Sequence, residues 1–231
     1  QILELGGDGL GLRVPQLPLP DAAVLRLSER VFGVTVMGHR AALLQQSPPG
    51  AAPAEPPKVE CTNLTVSRAD WGARRPFAVD YSIIPVRNVV VHHTVTPGCS
   101  SGSQCAGTLR EIQNFQIDTL EFPDIGYNFM IGGDGRVYEG AGWHKVGAHT
   151  RGYNTKSIGV AFIGNFSDER PDAAMLQALR RLLACGVAMG ELHEQYRLFG
   201  GRQVTATASP GSRLYAELKT WPHFTLDPLS S

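Results

Sequence analysis

The chain has 231 residues, with 21 basic and 21 acidic side chains and no formal net charge, so no long-range field draws it to nucleic acid or to an anionic membrane surface. Charged residues make up 18% and apolar residues 42%, which excludes a disordered polyelectrolyte and leaves a modestly polar folded protein. The longest apolar runs, around Val34 to Met37 and Val89 to Val91, are strand-sized and far short of the roughly 20 residues that span a bilayer, so membrane insertion is not expected.

The first residues, Gln-Ile-Leu-Glu-Leu-Gly-Gly-Asp, lack an initiator Met and the basic and apolar regions of a signal peptide, so the sequence reads as a processed or truncated piece. Asp21 is positioned to cap a short helix with Val24, Leu27 and Val31 on one face, and Val34 to Met37 reads as a strand. These elements are too few for a core and read as the tail of a preceding region. Eight of the 16 prolines fall in the first 60 residues. Gln46 to Lys58 lacks the bulky apolar side chains that offset ordering entropy and is expected to be an extended linker. A domain boundary near residue 60 follows.

Beyond it, strand and helix patterns alternate. Arg87 to Val95 is a β-branched apolar run, and Gln104 to Leu120 reads as a helix with Leu109, Ile112, Gln116 and Leu120 on one face, anchored by Leu109 and Ile112. Tyr127 to Ile131 and Arg136 to Glu139 form a hairpin pattern around Gly132-Gly133-Asp134-Gly135, whose Asp-Gly pair suits positive φ. Ser157 to Ile163 reads as a buried strand. Asp172 to Met189 reads as a helix carrying Met175, Leu179, Leu182, Leu183 and Val187, and a last helix runs from about Ser212 to Trp221 before Pro222. The succession predicts an α/β domain of about 165 residues built in layers.

Cys61, Cys99, Cys105 and Cys185 form an even set, and Asn63-Leu-Thr65 and Asn165-Phe-Ser167 fit the glycosylation sequon; together they point to a secreted, extracellular protein. Cys99 and Cys105 enclose a polar loop in which a free thiol would be reactive. Their spacing matches no zinc motif, which favours a small disulfide.

The residues most suggestive of chemistry are His92 and His93, at the end of the Val89-Val90-Val91 run. Alternation along a strand lets only one of them face a given cleft, and a packed residue beside a surface residue is the plain alternative. Val146 to Asn154 gathers His149, Arg151, Tyr153 and Asn154 in a Gly-rich loop suited to lining a wet groove. Trp143 offers an aromatic face for a glycan or, equally, a core side chain. His193 and His223 lack such neighbours and read as structural.

The stretches Val90 to Thr94, Asp124 to Phe129, Gly133 to Gly140, Gly147 to Thr150, Gly152 to Asn154, Ser157 to Val160, Ser209 to Gly211 and Thr220 to Phe224 occur in the order found in the peptidoglycan recognition protein family, which this chain resembles from about Cys61 to Phe224. With an added upstream segment it is most similar to the long-form vertebrate members, secreted N-acetylmuramoyl-L-alanine amidases. The resemblance implies residues 1–60 as upstream tail and linker, 61–224 as the recognition domain and 225–231 as a C-terminal tail. It implies the type 2 amidase fold, with a central mixed β-sheet flanked by helices, and the disulfides Cys61–Cys185 and Cys99–Cys105. It also implies bacterial peptidoglycan, a muramyl peptide, as the partner in innate immunity.

In catalytic relatives zinc is held by a strand-end His, a Gly-His-Arg His and a Cys-Pro-Gly Cys. His92 fits the first position, but the other two hold Gly201 and Ser209, so the resemblance implies a degenerate zinc site and a binding protein. By the same resemblance Tyr127 and Thr207 occupy catalytic positions. His92, Thr94, Tyr127, Trp143, His149, Arg151, Tyr153 and Asn154 are the expected muramyl-peptide contacts. An active zinc amidase, and an interaction protein that no longer binds cell wall, are the competing expectations.

Overall fold

A computed structural model describes residues 60–228; the helix, the strand and the Pro-rich linker expected within residues 1–59 lie outside the described residues, as does the end of the tail. In chain order the domain contains β1 (Thr65–Val66), α1 (Arg68–Trp71), β2 (Val86–His93), α2 (Gly102–Asp118), β3 (Phe129–Ile131), β4 (Val137–Glu139), β5 (Ile158–Phe162), α3 (Ala173–Ala188), β6 (Leu192–Gly200) and α4 (Ser212–Leu218). The strands form one sheet in the order β1-β4-β3-β5-β2-β6. Among the named strands only the β3–β4 hairpin is antiparallel, so the sheet is mixed, with β2 and β5 central; β5 and the Val89–Val91 stretch of β2 are buried and apolar, as strands covered on both faces must be.

Alternation divides the sheet's side chains between two cores. Val89, Val91, Phe129, Ile131, Ile158, Val160 and Phe162 face α3 and α4, meeting Leu179, Leu182, Leu183, Leu214 and Leu218. On the other face Met130 and Ala161 pack with Trp71, Cys105 and Leu109 of α1 and α2, and Val90 packs with Tyr153 and Phe199. The Cys99–Cys105 disulfide ties the start of α2, and Cys61–Cys185 fastens the chain ahead of β1 to α3.

Three expectations change. The buried stripe of α2 is Cys105, Leu109, Gln113 and Ile117, with Leu120 beyond the helix end and 45% exposed; a buried glutamine carries the stripe where an apolar residue was sought. Gln113 is held there because its amide donates to Asp124 Oδ1 (2.7 Å) and to the Arg74 carbonyl (3.1 Å), while accepting from the Arg74 N–H (2.8 Å). The hairpin turn uses positive φ only at Gly135 (φ 75°), so Asp134 serves as a side-chain acceptor for Arg136 and Tyr138. Finally, β6 was not anticipated. Its outer half alternates weakly, but Leu198, Phe199 and Gly200 run beside Val89, Val90 and Val91 in the sheet centre.

Candidate functional site

The parallel strands β2 and β6 end side by side, with Val91 opposite Gly200, which puts His92 and Gly201 at the carboxyl edge where open α/β sheets place their sites. His92 lies on the Val90 face. His93 lies on the Val91 face, where its Nδ1 accepts the Phe166 N–H at 3.1 Å. One histidine therefore turns to the cleft and its neighbour into the opposite layer, as the period of a strand requires.

Around His92 four groups converge. Its Nε2 is 2.9 Å from Thr150 Oγ1, and its Nδ1 is 3.4 Å from Ser209 Oγ. Its ring centroid lies 5.7 Å from that of Tyr127 and 5.8 Å from that of His149. Thr150 Oγ1 is also 3.0 Å from His149 Nδ1, so one hydroxyl bridges two imidazoles. Ser209 Oγ accepts the His93 N–H at 3.0 Å. Burial, reinforced by the adjacent His93, pushes His92 down to about 4. Burial and the facing His92 push His149 to about 3, with the backbone of Ser157 acting in the opposite sense. Both rings are neutral at pH 7. Burial also raises the Tyr127 phenol, which stays protonated.

The loop carrying His149 and Thr150 is shaped by two asparagines. Asn154 Oδ1 accepts the backbone N–H groups of His149 (3.0 Å) and Thr150 (2.7 Å). Buried Asn128 donates to the carbonyls of Gly142 and Lys145 and accepts the Gly159 N–H, locking the preceding loop to β5. Gly159 has no side chain where the His149 ring lies; a Cβ there would collide with it. Beside Tyr127 a hollow of about 400 Å³ opens between the end of β2 and α2, lined by Thr94, Thr96, Ile112, Phe115 and Gln116.

The structure thus brings His92, Tyr127, His149 and Ser209 together, with Thr94 on the rim next to Tyr127. Thr207 Oγ1 accepts the Ser209 N–H at 3.1 Å and supports that turn from an exposed position. Arg151 is exposed. Two of the expected contacts pack into the fold. Trp143 packs on Phe129 (4.7 Å between centroids) and over Gly186, so its ring is invested in the α3 layer. Tyr153 is buried against Val90 and Phe199, with Lys156 over its ring at 4.2 Å. Thr150 was missed, although it follows His149 directly; a threonine hydroxyl gives no sign of bridging until its second imidazole is placed by the fold. His223 stacks on Tyr196, and His193 accepts the Gln195 N–H within β6, so both make local structural contacts.

Comparison with known proteins agrees with this architecture. Residues 83–212 match the family described as N-acetylmuramoyl-L-alanine amidase, whose members are typically zinc-dependent. The chain is 47% identical over 163 residues to Peptidoglycan-recognition protein 1 of Holotrichia diomphalia, covering 71% of this chain and 83% of that protein. It is 49% identical over 168 residues to Peptidoglycan-recognition protein SA of Drosophila melanogaster, covering 73% and 82%. Among solved structures, bumblebee PGRP-SA superposes with a TM-score of 0.70 at 44% identity, covering 71% of this chain and 98% of that one. Peptidoglycan recognition protein-LE, solved in complex with tracheal cytotoxin, a monomeric diaminopimelic acid-type peptidoglycan, superposes at 0.69 with 43% identity, covering 70% and 96%. With this identity over some 160 residues and the same overall fold, the chain belongs to the peptidoglycan recognition protein family.

Proposed function

We propose that this domain binds the muramyl peptide of bacterial peptidoglycan in the cleft at the carboxyl ends of β2 and β6, and that it recognises this ligand without hydrolysing it. The observation that carries the second half is the fit of His92 to Gly201. A Cβ at position 201 would lie 2.6 Å from His92 Cε1 and 2.8 Å from Nδ1, so the imidazole occupies the space from which a second ligand side chain would start. A structural or catalytic zinc draws on at least three protein ligands. The donors at the three family positions are one imidazole, no side chain at Gly201, and a serine hydroxyl already accepting the His93 N–H. These residues do not fit zinc. In catalytic relatives the metal supplies a hydroxide by lowering the pKa of its water. A neutral His92, hydrogen-bonded to two hydroxyls, offers instead a polar surface for a neutral sugar and an amide-rich stem.

In this reading His92, Thr94, Tyr127, His149, Arg151 and Asn154 are the groups around the ligand, and Tyr127 and Thr207, at catalytic positions in the family, serve recognition. The domain extends over 61–224, after an upstream tail and linker. It works outside the cell as a pattern-recognition protein of innate immunity, and the exposed Asn63 and Asn165 are its glycan acceptors. Titration calorimetry with muramyl tripeptide and pentapeptide, with zinc analysis and a muropeptide cleavage assay on the same sample, tests both halves. Saturable binding without stoichiometric zinc or cleavage is expected. Chelator-sensitive cleavage would make the protein an amidase, and absence of heat with both peptides would make it an interaction protein that no longer reads cell wall.

A further inference from the structure

Five of the ten large apolar side chains that stand exposed among the described residues fall in one short segment, positions 77–84, between α1 and β2. Phe77 is 74% exposed, Tyr81 76% and Ile83 87%, with Val79 and Ile84 beside them. Together the five present roughly 600 Å², the upper end of what a monomer leaves uncovered, and a patch of that size marks a contact surface. Phe77, Val79, Tyr81 and Ile83 recur at every second position, the spacing that puts side chains on one face of an extended chain.

One edge of the segment is already paired. Tyr81 lies opposite Lys145 in an antiparallel bridge, closed by the Ser82 N–H on the His144 carbonyl and the Val146 N–H on the Asp80 carbonyl, both at 2.9 Å. In that pattern the Asp80 carbonyl and the Ser82 N–H face residues 144–146, and the main-chain groups of Tyr81 face the other way. The Tyr81 N–H and C=O have no hydrogen-bond partner among the described residues. An open edge of this kind is a template for another strand.

The side chains decide which strand fits. When the segment of a second copy lies antiparallel against this edge about a two-fold axis at Tyr81, Val79 meets Ile83 and Asp80 meets Ser82, each pair formed twice. An axis at position 80 would set Asp80 directly against its own copy, a like-charge pair. Axes at 79 and 82 would set it against Ala78 and Ile84, which offer its carboxylate nothing.

We propose that residues 78–83 form an interface between two copies of this chain, an isologous antiparallel strand pair centred on Tyr81. The two Tyr81 residues exchange their N–H and C=O groups, and Asp80 of each copy accepts the Ser82 hydroxyl of the other. Covering most of the strip on both copies brings the buried area to about the 1,000 Å² that a specific contact needs. Strand β2 runs from this contact toward the cleft, with Val86 and His92 about 20 Å apart along it, so the pairing is separate from the His92 cluster and does not depend on the ligand.

Sedimentation velocity of the full chain over a range of micromolar concentrations tests this, and a reversible monomer–dimer equilibrium is expected. Tyr81→Asp sets two like charges on the axis and is expected to weaken the dimer about tenfold or more, while the melting temperature of the monomer holds because the side chain is exposed. Ser82→Lys faces Asp80 of the second copy and should tighten the dimer about two- to tenfold, and Ser82→Asp should weaken it by a similar factor. All four cysteines are held in disulfides, so one introduced thiol reports the register. Tyr81→Cys meets its own copy at the roughly 5.5 Å Cα separation of a hydrogen-bonded pair, which a disulfide can bridge, and is expected to cross-link under mild oxidation. Val79→Cys, facing Ile83, is not. A monomer at every concentration overturns the proposal, as does a dimer indifferent to Tyr81→Asp. A dimer that cross-links through Val79→Cys and not through Tyr81→Cys overturns the axis at Tyr81.

Discussion

Two buried polar clusters lie on the helix α2 side of the sheet, and they are built on opposite principles. In the first, Arg68 pairs with both oxygens of Asp124 at 3.0 Å and donates further to the carbonyls of Gly140 and Arg74. Asp124 also accepts from Gln113 and from the Ile125 N–H, both at 2.7 Å. It is charged and fully paired, and it joins α1, α2 and the segment before β3. The second, at His92, is neutral and joined by hydroxyls, with no hydrogen-bond partner for buried His149 Nε2 among the described residues. A fully satisfied charged knot holds elements together and has nothing left to offer a ligand. A neutral run joined by hydroxyls holds its rings in place without charge, and its cost appears only when acid puts a proton on them.

The contrast is broken most severely by Asp124→Ala, which leaves the Arg68 guanidinium largely buried without its carboxylate. A stability loss of about 3–5 kcal/mol in urea denaturation is expected from stranding a buried charge. A loss below about 1 kcal/mol would show that this cluster is not a structural knot.

Acid sharpens the comparison from the other side. His92 and His149 have folded-state values near 4 and 3, below the ordinary 6.5 they regain on unfolding, so the unfolded chain binds more protons in the interval. The contribution of the neutral rings is complete above about pH 6.5 and is lost as the pH falls toward 4 and then 3. Each ring should cost about 2 kcal/mol by pH 5, a difference visible in urea titrations at pH 7 and pH 5. In His149→Gln that pH-dependent loss should shrink by roughly half. An unchanged loss would mean that the ring is already free to ionise in the folded state.

How far the sequence reveals these clusters depends on what each is made of. The central strands and α3 are readable because apolar periodicity reports burial directly, and Val89 to Val91 and Met175 to Leu183 lie where their spacing places them. The α2 stripe is misread at Gln113 because a buried amide becomes acceptable only once Asp124 and Arg74 are present to satisfy it. Strand β6 escapes notice because Glu194 and Gln195 interrupt its alternation near the sheet edge. At the site, His92, Tyr127, His149 and Ser209 are identified by motif. Trp143 and Tyr153 are not separable from them, because an aromatic side chain serves a core as well as a platform and only packing decides between the two.

The smallest expected effect is also the most local. Gly201 begins a short 3₁₀ turn with no positive φ, so alanine fits the backbone and should add about 0.4–1 kcal/mol by restricting the unfolded chain. Against this, the new methyl would lie 2.6 Å from His92 Cε1, and the ring cannot yield without lengthening its bonds to Thr150 and Ser209. Overpacking of this kind costs about 1–3 kcal/mol, so the net expectation for Gly201→Ala is a loss of about 1 kcal/mol. The His92 ring resonances should shift, with those of His93 far less affected because its anchor is the Phe166 N–H on the opposite face. A stabilised protein with unmoved His92 resonances would mean that position 201 has room to spare. The imidazole would then not be filling the space of a lost ligand, and the physical reason for reading this cleft as a binding site without zinc would be gone.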